Sequence, residues 1–346
     1  MEKLDRIMRN TEEVVTSDEL KNVLEKQNPK AYIGFEPSGV VHLGWKICTN
    51  KIKDFLSCGF DFTVLLADWH AYINDKLGGD LEKIKLCGRY MQDCFAAMGI
   101  DTSKVRFVYA SEYVNDARYW ELVLKTAKAI SVARVKRAMD IMGRGEEEAE
   151  KDLSKLFYPA MQVSDIFYLG LDVAYGGTDQ RHAHMLARDV AKKIGRITPV
   201  AIHTPLLTSL QADGRMNPIE AKMSKSKPDT MISIHDTSEV VKRKVSKAYC
   251  PEKQIEGNPV LELCRYVIFP DLEGQSFVIE RPEKFGGNLQ FSTYEELKNA
   301  FAAGLHPLDL KNATAYHVNK ILEPIHAFFE RCPENLQKMK NAGILQ

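Results

Sequence analysis

The 346-residue chain has no C-x-x-C pair among its seven cysteines, which are scattered at positions 48, 58, 87, 94, 250, 264 and 332. An odd count without a spacing pattern argues for reduced thiols in a cytosolic compartment and against a zinc site. No apolar run approaches the ~18–20 residues that a membrane helix needs. The first twenty residues, MEKLDRIMRNTEEVVTSDEL, are charged throughout and lack the apolar centre of a signal peptide. There is no charge excess either, with 47 Lys+Arg against 47 Asp+Glu. A nucleic-acid partner would therefore have to be met by local basic patches. No internal repeat or low-complexity segment is evident. With 45% hydrophobic and 27% charged residues, the composition excludes a disordered chain, a collagen-like fibre and a disulfide-framed miniprotein. Single cores stop growing near ~250–300 residues, so the length predicts two domains.

What is present is an alternation. Residues 1–30 read as an arm of two short helices, with Thr16 and Glu19 placed for a capping box. Strands are expected at 31–36, 61–68, 105–110, 171–177 and 200–204. Helices are expected between them, at 43–57, 81–98 with Asp80 as N-cap, 116–143, 160–168 and 179–193. The segment GRGEEEAEKD (143–152) reads as an exposed joint. The alternation predicts an α/β fold with a doubly wound parallel sheet, whose ligands bind at the carboxyl ends of strands where strand order reverses. After Pro228 the pattern becomes mainly helical, with a turn-rich insertion around 251–294, and a boundary is expected near 230.

Four segments carry chemistry. In GFEPSGVVHLGW (34–45) a strand passes through a glycine turn into a helix, a junction rich in free N–H groups that suits phosphates. His42 there could bond a phosphoryl oxygen, or merely cap the helix while Gly44 eases packing. KMSKSKPD (222–229) is a basic loop that could clamp a polyphosphate, or simply be solvated. In LFYPAMQVSDIFYLGLD (156–172), Tyr158, Gln162, Asp165 and Leu169 share one helix face. Polar groups on a face with such apolar flanks need partners. In GGTDQRHAHMLAR (176–188) a glycine pair lets a ligand approach the backbone, and Asp179 is placed for a ribose hydroxyl. His182 and His184 read as ordinary helix residues.

HLGW (42–45) and KMSKS (222–226) resemble the two signatures of class I aminoacyl-tRNA synthetases. YPAMQVSDI (158–166) and GGTDQRH (176–182) resemble the amino-acid pocket of the tyrosyl branch, and GFEPSG (34–39) its archaeal and eukaryotic members. The resemblance implies a Rossmann-like catalytic domain at 31–230, a helical connective insertion at about 116–155, and a helical anticodon-recognition domain at 231–346. It implies a ligase that activates L-tyrosine with ATP, Mg²⁺ riding on the ATP phosphates, and transfers it to tRNA(Tyr). It further implies a cytoplasmic homodimer with no membrane partner. Tyr32 and Asp165 would bond the substrate phenol. Tyr158, Gln162 and Gln180 would hold its ammonium group, and Leu65 and His70 would line the ring pocket. Gly34, Glu36, His42, Gly44, Gly177, Asp179 and Met223 would bind ATP. Lys222 and Lys225 would stabilise the departing pyrophosphate, with His42 as the third catalytic residue.

For tRNA the resemblance points to Arg134, Lys136, Arg137 and Arg181 near the acceptor end, or to a solvated basic face. Phe285 and Asp309 would read the first anticodon base, although Phe285 could be core. Lys242, Arg243, Lys244 and Lys247 could add backbone affinity. One position departs from the family: the first signature often ends in a second histidine, and Trp45 stands there. The competing readings are a tryptophan-specific synthetase, a small-molecule nucleotidyltransferase and a non-catalytic paralogue. The Tyr32/Asp165 pair suits a phenol better than an indole.

Overall fold

A computed structural model describes residues 2–141, 152–212, 223, 228–272 and 274–345. The expected joint at 143–152 therefore lies outside the described residues except for its last position. The chain forms two compact units. The first comprises Met1–Gly39, Lys51–Pro205 and Glu334–Gln346, the second Val40–Asn50 and Leu206–Pro333. These units cut the chain differently from a single boundary near 230, because residues 40–50 and 206–230 group with the helical carboxyl-terminal part.

The first unit holds α1 (Lys3–Met8), β1 (Glu13–Val15), α2 (Ser17–Leu24), β2 (Lys30–Phe35), and α3 (Trp45–Ser57) from Lys51 onward. It continues with β3 (Asp61–Leu66), α4 (Asp68–Ile73), α5 (Leu81–Ala97), β4 (Val105–Tyr109), α6 (Ala117–Ala129), α7 (Val132–Ile141), α8 (Ser154–Tyr168), β5 (Val173–Gly177), α9 (Arg181–Lys193) and β6 (Val200–Thr204). The sheet order is β1-β6-β5-β2-β3-β4. Strands β2 to β6 are mutually parallel, with Tyr32 opposite Thr63 on one side and Ala174 on the other. Read from β4, the five parallel strands run 3-2-1-4-5, the order of the first five strands of the dinucleotide fold, and it reverses between β2 and β5. The carboxyl ends of these two strands carry Gly34–Glu36 and Gly177–Asp179, so the switch point is built from the segments that carry the pocket motifs.

The local signals explain most of these elements. Strand β3 is a buried apolar run, as a parallel strand covered on both faces requires. Asp80 caps α5 by accepting from the Glu82 and Lys83 N–H groups at 3.0 and 3.1 Å. The capping box at α2 is formed in both directions, Glu19 N to Thr16 Oγ1 at 3.3 Å and Thr16 N to Glu19 Oε2 at 3.0 Å. The arm has its two short helices, α1 and α2, with a strand between them that was not expected. Residues 13–15 are not helical but form the antiparallel edge strand β1 on β6, so the sheet is mixed rather than purely parallel. The adjacent β-branched Val14 and Val15 favour an extended chain, and the open edge of β6 supplies the partner groups. Phe55 joins the layers, with ring centroids 5.2 Å from Phe62 on β3 and 5.7 Å from Tyr175 on β5.

The second unit contains α10 (Ser238–Ser246), α11 (Pro259–Leu263), α12 (Phe269–Asp271), β7 (Phe277–Ile279), β8 (Leu289–Phe291), α13 (Tyr294–Ala303) and the long α14 (Pro307–Arg331). The turn-rich insertion contains the antiparallel pair β7–β8. Residues 41–43 lie alongside 232–234: His42 bridges Ser233, Leu43 N donates to Ile232 O at 2.8 Å, and Ile234 N donates to Val41 O at 3.2 Å. The first signature is thus held within the same unit as the chain that follows the second.

Candidate active site

In the first unit, α8 delivers the polar face expected from its spacing. Tyr158 and Asp165 are buried on it, and His70 comes to meet them from α4. The His70 ring stands edge-on to Tyr158 at 5.0 Å, and its Nε2 lies 3.0 Å from Asp165 Oδ2. That contact is close enough for charge attraction but lacks hydrogen-bond alignment, since both atoms remain without a hydrogen-bond partner. Burial alone would push the His70 pKa down. The surrounding carboxylates, Asp165 first and then Glu36 and Asp68, together outweigh it, and the net direction is up.

Tyr32 on β2 and Leu65 on β3 are buried in the core cluster that includes Tyr158. A Cβ placed on Gly34 would sit 3.7 Å from Tyr32 and 3.9 Å from Leu65, so Gly34 lies between them. Burial and then the charge of Asp165 push the Tyr32 pKa far up, which keeps its hydroxyl protonated. Tyr158 donates to Glu36 Oε1 at 2.7 Å, and Asn74 donates to the same oxygen. Gln162 Nε2 donates to Gln180 Oε1 at 2.9 Å. The structure therefore brings Tyr32, Gly34, Glu36, Leu65, His70, Tyr158, Gln162, Asp165 and Gln180 into one connected neighbourhood.

Among the described residues, six buried side-chain polar atoms have no hydrogen-bond partner: Asn50 Nδ2, Asp68 Oδ2, His70 Nδ1 and Nε2, Gln162 Oε1 and Asp165 Oδ2. Four of these six belong to His70, Gln162 and Asp165. Buried polar groups are otherwise almost always paired, and an unpaired one costs about 1–3 kcal/mol. Their concentration on three side chains marks a surface arranged for a polar ligand. Asp165 Oδ2 calls for a donor, and Gln162 Oε1 calls for another.

Three features here were not foreseen from sequence. Tyr113 and Tyr119 both donate to Asp165 Oδ1, at 2.8 and 2.9 Å. They lie just beyond β4, the strand end at which a parallel sheet presents ligand groups, and that placement was the available signal. Asn74, in the loop after α4, holds Glu36. Behind the pocket, His184 Nδ1 and His203 Nε2 are 3.0 Å apart, and His203 Nδ1 is 3.0 Å from Glu13 Oε2. His184 is an ordinary helix residue in position but not in setting, because it is buried against a second imidazole.

That pair gives the fold a pH dependence. Burial, then the neighbouring His203, pushes the His184 pKa down to about 3. Burial also lowers His203, and Glu13 only partly offsets this. Between about pH 6.5 and the lowered value, the unfolded chain binds a proton that the folded chain does not. Stability is then lost as pH falls below about 6.5, at up to about 1.4 kcal/mol per pH unit for each such group. Glu13 and Glu19, held low chiefly by Arg181 and Arg188, contribute only below the ordinary carboxylate range. The raised His70 acts in the opposite sense, above about pH 6.5. Thermal midpoints taken from pH 7 to pH 5 should fall steeply in the native chain and less steeply in His184→Asn. Equal slopes would contradict this assignment.

In the second unit, His42 Nδ1 accepts from Gly44 N at 3.2 Å. A Cβ on Gly44 would lie 2.8–2.9 Å from the imidazole, so the glycine is required by the histidine above it. Leu207 touches the same point at 3.8 Å, and its carbonyl accepts from Met223 N at 2.7 Å. The methionine of the second signature is therefore anchored one residue away from the first. Lys222 and Lys225 lie outside the described residues. Trp45 is 6% exposed and takes its place in the core. In the first unit, Gly177 and Asp179 form the turn at the end of β5, where Thr178–Gln180 is a single 3-10 turn.

The candidate tRNA residues divide. Phe285 is 62% exposed, which removes the reading of it as core, and Lys284 Nζ lies 5.0 Å from its ring. Asp309 is in the first turn of α14, with Arg281 3.9 Å away. Arg137 is exposed and Lys136 half-buried, while Arg134 pairs with Asp189 at 2.5 Å. Arg181 is engaged by Glu13 through two nitrogens at 2.8 Å. Lys244 is buried against Asp236 at 2.7 Å, which withdraws it from the basic set formed with Lys242, Arg243 and Lys247.

Comparison with known proteins follows the same lines. The family model described as tRNA synthetases class I (W and Y) matches residues 24–323. A tyrosine–tRNA ligase of Sulfolobus acidocaldarius is 54% identical over 335 residues, covering 94% of this chain and 92% of that protein. The crystal structure of tyrosyl-tRNA synthetase from Aeropyrum pernix superposes with a TM-score of 0.88 at 47% identity, covering 99% of this chain and 98% of that one. The structure of the Pyrococcus horikoshii enzyme complexed with L-tyrosine gives 0.90 at 42% identity, with 98% of each chain covered.

Proposed function

Because the chain belongs to the class I tRNA synthetases of the tryptophan and tyrosine family, we propose that it acts as a tyrosine–tRNA ligase. The observation that carries this reading is the buried Asp165 Oδ2, without a hydrogen-bond partner and beside the protonated Tyr32. A phenolic hydroxyl can donate to the first and accept from the second. An indole N–H can only donate. The 54% identity to a tyrosine–tRNA ligase supports the same choice.

In the first step a carboxylate oxygen of tyrosine attacks the α-phosphorus of ATP. An O–P bond forms, the bond from the α-phosphorus to the bridging oxygen breaks, and pyrophosphate leaves; Mg²⁺ riding on the ATP phosphates would offset part of their charge. Tyr158, Gln162 and Gln180 hold the ammonium group, with Glu36 supplying negative charge behind Tyr158. Leu65 and His70 line the ring. Gly34, Glu36, Gly44, Gly177, Asp179 and Met223 serve ATP. His42, Lys222 and Lys225 meet the charge that grows on phosphoryl oxygens, a role that needs positioning and electrostatics rather than a covalent intermediate. In the second step a hydroxyl of the 3′-terminal adenosine attacks the activated carbonyl. The ester forms, AMP departs, and the hydroxyl proton is released.

Arg134, Lys136, Arg137 and Arg181 serve the acceptor end of tRNA(Tyr), and Phe285 with Asp309 reads the first anticodon base by stacking and hydrogen bonding. The exposure of Phe285 supports the stacking role. The chain works as a homodimer through the connective insertion. Support comes from the exposed Trp120, Leu124, Val132 and Leu153 of that region. It acts in the cytoplasm; among the described residues no helix is long and apolar enough to cross a membrane.

ATP–pyrophosphate exchange with each aromatic amino acid tests the proposal. Tyrosine should support exchange, with phenylalanine and tryptophan at least about a hundredfold lower in kcat/KM. Exchange driven as well by tryptophan would overturn it.

A further inference from the structure

Two buried phenols converge on one carboxylate oxygen. Tyr113 follows β4, and Tyr119 sits in the first turn of α6. Their rings meet edge to face at 5.0 Å, and both hydroxyls end on Asp165 Oδ1. Tyr168 stacks on Tyr113 at 5.0 Å, and its own hydroxyl is tied to Asp116 Oδ2 at 2.8 Å. Asp116 in turn caps α6 by accepting from Arg118 N.

We propose that Tyr113 and Tyr119 are positioning residues that set the preference for tyrosine over phenylalanine, by pinning one oxygen of Asp165 so that the other can be satisfied only by the substrate. The inference rests on the reading of the pocket as a tyrosine site. An ionised carboxylate only accepts, and its terminal torsion is soft and roughly two-fold. Left unbraced, Asp165 could turn until Oδ2 aligned with His70 Nε2, already 3.0 Å away. It would then be content with no ligand hydroxyl at all. Two charge-assisted hydrogen bonds to Oδ1 remove that freedom. Phenylalanine then leaves Oδ2 desolvated and without an aligned hydrogen-bond donor, and the penalty falls on the wrong substrate. Burial and the charge of Asp165 push both phenol pKa values far up, which keeps the two groups donors.

The test is pyrophosphate exchange with tyrosine and with phenylalanine in Tyr113→Phe, Tyr119→Phe and the double variant, with Tyr168→Phe as a packing control. These changes keep the rings and remove only hydroxyls. Each of the first two should lower kcat/KM for tyrosine about tenfold, mostly through KM, and leave phenylalanine unchanged or improved. The tyrosine-to-phenylalanine ratio should fall about a hundredfold in the double variant, while kcat for tyrosine stays within about twofold. Should the double variant not fold, the single variants decide. Tyr168→Phe, whose hydroxyl does not reach Asp165, should keep the ratio. A proportional loss for both amino acids, or an equal fall in the control, would reduce the two residues to packing and overturn the inference. A native chain without preference for tyrosine would instead remove the tyrosine reading itself, and this inference with it.

Discussion

Replacing Asp165 by alanine is expected to lower kcat/KM for tyrosine in pyrophosphate exchange by roughly two orders of magnitude, while phenylalanine changes far less. The loss corresponds to about 3 kcal/mol, the upper range for a hydrogen bond to a charged group. The asymmetry follows from what each amino acid finds. Tyrosine loses the acceptor for its hydroxyl. Phenylalanine is relieved of a buried carboxylate that it could not satisfy. The variant should also unfold at a lower temperature, because the hydroxyls of Tyr113 and Tyr119 lose their shared acceptor. Parallel measurement of both amino acids separates the two effects, since instability alone lowers both rates together. An unchanged ratio would mean that the substrate hydroxyl is read by other groups.

A second large effect is expected on the phosphate side. His42→Ala or Lys225→Ala should slow tyrosyl-adenylate formation by about 10²–10³-fold, equivalent to about 2.7–4 kcal/mol of lost transition-state stabilisation. The dissociation constant for tyrosine should stay close to native, since the residues proposed to hold tyrosine lie on other segments of the chain. Single-turnover kinetics give both quantities. A native adenylation rate in either variant would withdraw the proposed role from that residue. Gly44 bears on the interpretation for His42. Its N–H donates to the imidazole, so alanine at 42 also frees one backbone donor.

Much of this was legible before any coordinates. The five parallel strands were visible as apolar runs, and Asp80, Thr16 and Glu19 announced their caps, because strand burial and capping are local. The face of α8 was legible for the same reason: residues 158, 162 and 165 meet wherever the helix goes. Its meaning was not fully legible. Tyr113 and Tyr119 come from segments some 50 residues away, and nothing in local spacing ties a tyrosine after β4 to a carboxylate on α8. Strand β1 was read as part of a helical arm because three residues are too few for a period to show; its partner is the edge of β6, which only the fold supplies. His184 looked like any helix residue, since its partner His203 belongs to the last strand of the sheet. The grouping of residues 40–50 with 206–333 was hidden likewise, because the pairing of 41–43 with 232–234 spans nearly 200 positions.

The central claim is that this pocket recognises a phenol through one carboxylate oxygen left without an aligned hydrogen bond. A crystal structure of the chain with L-tyrosine tests it most directly. The account predicts the phenolic oxygen within hydrogen-bond distance of both Asp165 Oδ2 and the Tyr32 hydroxyl, with Oδ1 still held by Tyr113 and Tyr119. Tyrosine bound with its hydroxyl elsewhere, and Asp165 Oδ2 turned onto His70, would contradict it.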